Sequence, residues 1–364
     1  MPPAIRTHLI GAGLVVMWSS GFIGAELGTR EAPADTLLLW RFIAAAALLG
    51  AAGLVLRART YGRRRPAGTA RMPPRALAKQ AAIGLLSQGV YLGAVYWAAE
   101  SGVPAGTSAL TAALQPLVAG ALAGRLLGET VTRRQWAGLV LGLAGVAAVV
   151  RDDLASPAST APPLAYLLPL VGMAGLLAAS FLERRARHQP GPAEALPLHC
   201  LVSAVVFTGL AAGTGHLVPP PTAAFWMAVA WVVVLSTVGG YGFYWLSLRH
   251  SGVTRTSALI YLTPPTTVVW AYAMFGERPG AVAVAGMGIA VVGVLVAVRP
   301  QRVREAPPAK EPQSGAARYD RHDGNDTRFE PPAQHGSGGG GGDCTVPPGR
   351  LRTAHRGERK GPLR

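Results

Sequence analysis

The chain has 364 residues, half of them hydrophobic and only 14% charged, with a mean hydropathy of +0.31. Its two cysteines, Cys200 in an apolar stretch and Cys344 in the polar C-terminal end, exclude a disulfide framework. The net charge of +16 would suggest nucleic acid in a soluble protein, but most of the Lys and Arg residues lie in that polar end and between apolar segments, so nucleic-acid binding is not expected.

Apolar segments of about 17 to 22 residues follow one another up to residue 298, each long enough to cross a ~30 Å hydrocarbon core. They are apolar all round, with no polar face of the kind a soluble helix shows. Arg6 and the run behind it resemble a signal peptide, but the run continues to about Leu27 and reads as an uncleaved first span. Ten spans are predicted: Leu9–Leu27, Thr36–Leu56, Leu77–Ala99, Gly106–Leu127, Gln135–Val150, Leu164–Phe181, Ala195–Gly213, Ala223–Leu248, Thr256–Phe275 and Ala281–Val298. Short connections marked by Pro, Gly or charge join them.

The basic residues predict the orientation. Even-numbered connections carry most of them, among them Arg57, Arg59, Arg63, Arg64, Arg65, Arg71, Lys79, Arg125, Arg133, Arg134, Arg184, Arg185, Arg249 and Arg255. Odd-numbered connections carry only Arg30, Arg151 and Arg278, which places both termini in the cytoplasm.

The stretch from Tyr96 to Val150 returns as Tyr244 to Val298. Tyr96-Trp97, Pro116, Gly128-Glu129 and Gly145-Val146 match Tyr244-Trp245, Pro264, Gly276-Glu277 and Gly293-Val294 at one fixed offset. With five spans in each half, the second copy enters the membrane from the opposite side. The charges agree: no Lys or Arg falls between spans three and four, whereas Arg249 and Arg255 follow span eight. Inverted repeats of this kind are typical of secondary transporters. The prediction is an all-α integral membrane protein of ten transmembrane helices in two inverted five-helix repeats, 9–150 and 162–298. A disordered cytoplasmic tail is expected over 299–364, where Pro, Gly and Arg prevail.

The first half also carries Trp18-Ser19-Ser20-Gly21-Phe22 and Trp40-Arg41-Phe42, and both halves carry a Pro in mid-span, then Gly-Glu, then a Gly-rich final span. With these motifs the chain resembles the EamA-domain transporters of the drug/metabolite transporter superfamily over roughly residues 9 to 298. The resemblance implies a bacterial inner-membrane transporter, with export of an amino acid, other small metabolite or drug as the expected activity. In one respect the halves differ: aligning Ala34-Asp35 with Ala193-Glu194 sets Cys200 opposite Arg41.

Residues that could form a substrate cavity follow from depth and polarity. Pro116 and Pro264 near mid-span each free a carbonyl one turn earlier, and either line the site or make a packed kink. Trp18, Ser19, Gln88, Tyr91, Gln115, Tyr241, Tyr244, Trp245, Tyr261 and Thr263 lie at mid-depth. Gln88 and Tyr91 share a helix face.

Arg41 falls roughly 7 Å below the outer surface, and Glu26 at similar depth. Two readings stand: the pair lines the outer mouth and Arg41 holds an anionic group, or Arg41 snorkels to headgroups and Glu26 is solvated. Glu129 and Glu277 each follow a helix-ending Gly and precede a helix, where the dipole favours a carboxylate, so a helix-end role is preferred to proton coupling. His199 reads as interfacial. Gly138, Gly142, Gly145, Gly286 and Gly293 read as close helix packing or a homodimer face.

No phosphate loop, His-Glu-x-x-His or metal-ligand spacing occurs, so no enzyme, cofactor or metal centre is expected. The expected partners are a small-molecule substrate and the lipid bilayer. The alternative is a multi-pass membrane enzyme or regulator using Glu26, Asp35, Glu100 or His199.

Overall fold

A computed structural model describes residues 3–60, 72–127, 132–157, 159–186 and 190–298. The expectations for Gly128, Glu129, Cys344, several basic residues of the second connection and the tail over 299–364 lie outside the described residues. All regular structure among the described residues is helical. This follows from the solvent: in hydrocarbon a helix satisfies its backbone polar groups within the segment.

In chain order the helices are α1 (Pro3–Thr29), α2 (Ala34–Thr60), α3 (Pro74–Glu100), α4 (Ala105–Leu127), α5 (Arg133–Ala155), α6 (Pro163–Arg184), α7 (Pro192–Thr214), α8 (Ala223–Gly252), α9 (Arg255–Phe275) and α10 (Ala281–Val298). Eight of them, all but α5 and α10, are long and apolar enough to cross a membrane. The ten expected helical segments are thus present among the described residues, eight of them with the length and apolarity of a membrane span. Arg133, Arg134, Arg151, Asp152 and Asp153 fall inside α5, and α10 is short.

Starts and stops are set locally. Thr132 and Gln135 form a reciprocal capping box on α5, and Thr222 accepts from Phe225 N at the start of α8. Gly215 and Gly276 end α7 and α9 in the left-handed conformation.

Packing follows a two-fold pattern. Helix α2 packs on α7, α4 on α9 and α5 on α10, each pair joining equivalent members of the two repeats. Helices α1 and α8 pair as do α6 and α3, which is the exchange a two-fold relation between the halves requires. One apolar cluster, with Ile23, Leu38, Phe42, Phe207 and Val232, fills the space among α1, α2, α3, α7 and α8. A second, with Leu114, Val146, Val149 and Ala290, joins α4, α5, α9 and α10.

The glycines of α5 and α10 face each other within the chain. A Cβ on Gly145 would lie 2.5 Å from the Gly286 carbonyl oxygen, and one on Gly293 would lie 2.7 Å from that of Gly138. These small residues are therefore spent on the contact between the two repeats, not left open for a second copy.

Two irregularities recur at the repeat offset. Leu85–Val90 in α3 and Val232–Gly240 in α8 are both π-helical. Widened turns of this kind are frequent at functional sites. The second irregularity corrects the reading of the prolines. Helix α4 breaks at Leu114 (φ −74, ψ −14) and α9 at Leu262 (φ −83, ψ −6). Pro116 and Pro264 then occupy the second position of a new helical segment, Gln115–Leu127 and Thr263–Phe275. An N–H there has no partner in any helix, so the prolines start a segment and do not kink a continuous one.

Candidate functional site

Residues from α1, α2, α3, α6 and α8 converge on a cavity of about 90 Å³. Helix α1 supplies Trp18, Gly21 and Phe22, α2 supplies Arg41, and the π turn of α3 supplies Ser87 and Gln88 with Tyr91 just beyond. Helix α8 closes the far side with Ser236 from its own π turn and with Tyr241. Ser236 stands at the repeat position of Gln88, so the two widened turns present equivalent polar side chains to one space.

The predicted residues divide as follows. Trp18, Gln88, Tyr91, Tyr241 and Arg41 line this cavity together. The Gln88 amide donates to the Tyr241 hydroxyl, and the Trp18 ring packs against Tyr241 at 5.8 Å and Tyr244 at 5.5 Å, which places Tyr244 behind the wall. Ser19 donates to the Thr263 carbonyl at 3.3 Å, tying α1 to the α9 break beside buried Pro264. Gln115 donates to Ser180 at 3.1 Å and holds the α4 break, with Pro116, against α6. Ser19, Gln115, Pro116, Thr263 and Pro264 therefore belong to the helix breaks and not to the cavity wall. Ser87, Ser236 and Thr237 were missed. The repeat offset from Gln88 points to Ser236, but nothing in the sequence marks a π turn.

Arg41 is 2% exposed. It donates to the Tyr96 hydroxyl, to Thr237 at 3.3 Å and to Ser236 at 3.4 Å, and lies 5.4 Å from the Tyr96 ring and 5.6 Å from the Phe42 ring. Its Nε has no partner, and among the described residues no carboxylate is within ion-pair distance. The snorkelling reading does not describe this side chain. Hydroxyls, ring faces and a small cavity surround a full positive charge, and a buried cation without a counter-charge suits an anionic group.

Glu26 is not its partner. It pairs with Arg30 one turn along α1 and lines a different cavity of about 460 Å³ at the face of the odd-numbered connections. Glu100, Asp153, Glu277 and Arg278 line the same vestibule. Burial and the neighbouring Glu26 carboxyl push the Glu277 carboxyl up to about 8. Glu277 does not serve the start of α10, as the sequence suggested. Asp152 does, accepting from Ala283 N at 3.1 Å.

Of the candidates for the enzyme alternative, Glu26 and Glu100 share the vestibule, whereas Asp35 and His199 are held in contacts between helices. Asp35 accepts from Thr214 at 2.6 Å and meets His216 at 3.2 Å, joining the start of α2 to the end of α7. His199 meets Gln80 at 3.1 Å between α7 and α3.

The model of the EamA-like transporter family matches residues 5–151 and 163–299. The chain belongs to that family. It is a membrane transporter protein by this kinship, and its two matched segments are the two repeats of the family. The uncharacterized inner membrane transporter YedA of Escherichia coli (strain K12) is 25% identical over 307 residues, covering 84% of this chain and 95% of that protein. The probable terminal-alkyne amino-acid exporter of Streptantibioticus cattleyicolor is 26% identical over 295 residues, covering 78% of this chain and 90% of that protein. One solved crystal structure shares the fold with a TM-score of 0.54 at 21% identity, over 80% of this chain and 96% of that one.

Proposed function

We propose that this family member is a secondary transporter of the bacterial inner membrane that exports an amino acid or similar small metabolite. The observation that carries the reading is Arg41, a buried guanidinium with an unpartnered Nε and, among the described residues, no carboxylate in ion-pair reach, facing a cavity walled by Trp18, Tyr91 and Tyr241. A substrate carboxylate supplies the missing anion and forms charge-assisted hydrogen bonds, while the aromatic wall takes an apolar side chain. The amino-acid exporter among the relatives supports this substrate class. Arg41 has Cys200 as its repeat counterpart, so one end of the substrate is fixed by one half only.

At about 90 Å³ the cavity is smaller than the ~300–1,000 Å³ of ligand sites, so a substrate has to widen it on binding. Alternating access follows from the architecture: residues 9–150 and 162–298 form the two halves, and rocking one against the other opens the cavity to each side in turn. The π turns of α3 and α8 and the breaks at Leu114 and Leu262 are the points where backbone can move without loss of a whole helix. The positive-inside distribution of Arg puts both termini in the cytoplasm and the vestibule on the outer face.

The test compares external metabolites of cells expressing the native chain and Arg41→Gln at matched membrane levels. A compound with a carboxylate, enriched outside only with the native chain, is the expected result. Equal profiles, or an enriched compound without an anionic group, would refute the assignment of Arg41.

A further inference from the structure

The vestibule holds chemistry that substrate recognition at Arg41 does not use. Glu26 is 8% exposed, and its two oxygens meet different surroundings. Oε1 accepts from Arg30, while Oε2 is buried with no hydrogen-bond partner, in a residue that lines the vestibule. Leaving a buried carboxylate oxygen unpaired is costly, so Oε2 calls for a hydrogen-bond donor. The group set against Glu26 is the carboxyl of Glu277, brought there by the connection between α9 and α10. Two carboxylates lining one vestibule in contact repel, whereas one proton between them makes one a donor and the other an acceptor.

The surrounding charges favour a cation. Arg30 faces the pair from α1 and Arg278 from the α9–α10 connection, against Glu100 at the end of α3 and Asp153 on α5. Asp153 is engaged by the Thr107 hydroxyl at 2.5 Å, and Asp152 is turned to the start of α10. Arg30 neutralises Glu26 only in part, since its side chain is 53% exposed and its guanidinium also sits over the Phe275 ring at 4.1 Å. Carboxyls thus outnumber guanidiniums around the orphaned oxygen. Among the described residues no three His, Cys, Asp or Glu side chains are placed to hold a metal ion. A proton is the cation that two carboxyls accommodate.

We propose that Glu26 and Glu277 hold one proton between them, and that its uptake and release couple transport to the proton gradient. The coupling rests on the transport reading above; the proton site does not. The proton comes from water in the vestibule and returns to it. When bound, it hydrogen-bonds α1 to the α9–α10 connection and closes this face. When released, the two carboxylates push α1 and the connection apart. Trp18 lies on the same helix about 12 Å from Glu26, so the displacement reaches the central cavity. The Glu277 carboxyl, held up at about 8, changes state in the range where cells keep their gradients.

Two readouts on the full-length chain test this. In nanodiscs, difference infrared spectroscopy follows the carbonyl band of a protonated carboxyl through a pH titration. The native chain and the exposed-surface control Glu31→Gln should show the band, and Glu26→Gln and Glu277→Gln should each lose it. In proteoliposomes filled with an equimolar mixture of protein amino acids, one coupled proton raises the accumulation ratio of a transported compound by about tenfold per pH unit imposed. In Glu26→Gln and Glu277→Gln that ratio should stop responding to the gradient. An unchanged band in both variants overturns the proton site, and a pH response that survives Glu277→Gln overturns the coupling. If the native chain moves no amino acid, the export reading fails and the infrared band alone decides the site.

Discussion

Gly145→Ala is the sharpest test of how the two repeats are joined. The added Cβ would lie 2.5 Å from the Gly286 carbonyl oxygen, 2.7 Å from Ala290 N and 2.8 Å from Ala290 Cβ. Two of these three are backbone atoms, so no rotamer change relieves the contact. Reaching an ordinary ~3.5 Å separation requires α5 and α10 to part by about 1 Å. That movement loosens the contacts of Val146, Val149, Ala290 and Val294 with one another. Overpacking of a close-packed contact costs roughly 1–3 kcal/mol, a shift of about 5- to 150-fold in the folded equilibrium. Gly288→Ala on the same helix is the control, because nothing lies within 4 Å of its Cβ position and Ala is the better helix former. The assay is thermal unfolding of both variants and the native chain in one detergent, followed by loss of monodispersity. Gly145→Ala is expected to melt several degrees below the native chain and Gly288→Ala at or above it. If Gly145→Ala melts with Gly288→Ala, the two repeats are not joined through these glycines.

Asp152→Ala removes the acceptor for Ala283 N at the start of α10 and is expected to cost about 1 kcal/mol, read as a lowered melting temperature with Asp152→Asn close to native. Glu277 carries a pH dependence whose sign is fixed. Its folded value of about 8 lies above the ordinary 4.5, so the folded state binds more protons between those values, and the stability this contributes is complete below about 4.5 and lost as pH rises through about 8. The native chain should therefore lose melting temperature across that window more steeply than Glu277→Gln, and parallel slopes would show that Glu277 titrates normally.

The repeat in the sequence carried the fold a long way, and for a physical reason. Leu114 and Leu262, Gln88 and Ser236, and the glycines of α5 and α10 occupy equivalent places because the same backbone must pack against its own copy. What the repeat could not convey is which side chains meet across the halves. The spacing of Glu26 and Arg30 in α1 permits an ion pair, but similar depth in the membrane suggested Arg41 instead. Depth is a single coordinate, and it cannot separate a residue facing α2 and α8 from one facing α9 and α10. The prolines were misread for a related reason. A Pro in mid-span breaks a hydrogen bond only if the helix is continuous there, and Leu114 and Leu262 had already ended it. Asp152 was hidden because it caps a helix that is distant in sequence.

The cavity residues show where symmetry ends and function begins. The two π turns offer Gln88 from one half and Ser236 from the other, and both are polar but neither is charged. The charge comes from Arg41, whose counterpart Cys200 is 0% exposed and cannot balance it. The vestibule is built around the end of α1, which brings Glu26 beside Glu277 of the α9–α10 connection. A strictly two-fold site would present the same groups to both sides of the membrane. In the proposed cycle, one guanidinium facing the centre and one carboxyl pair facing a single side break that equality, so recognition and coupling to a gradient would rest on a handful of side chains while the repeated backbone supplies the motion.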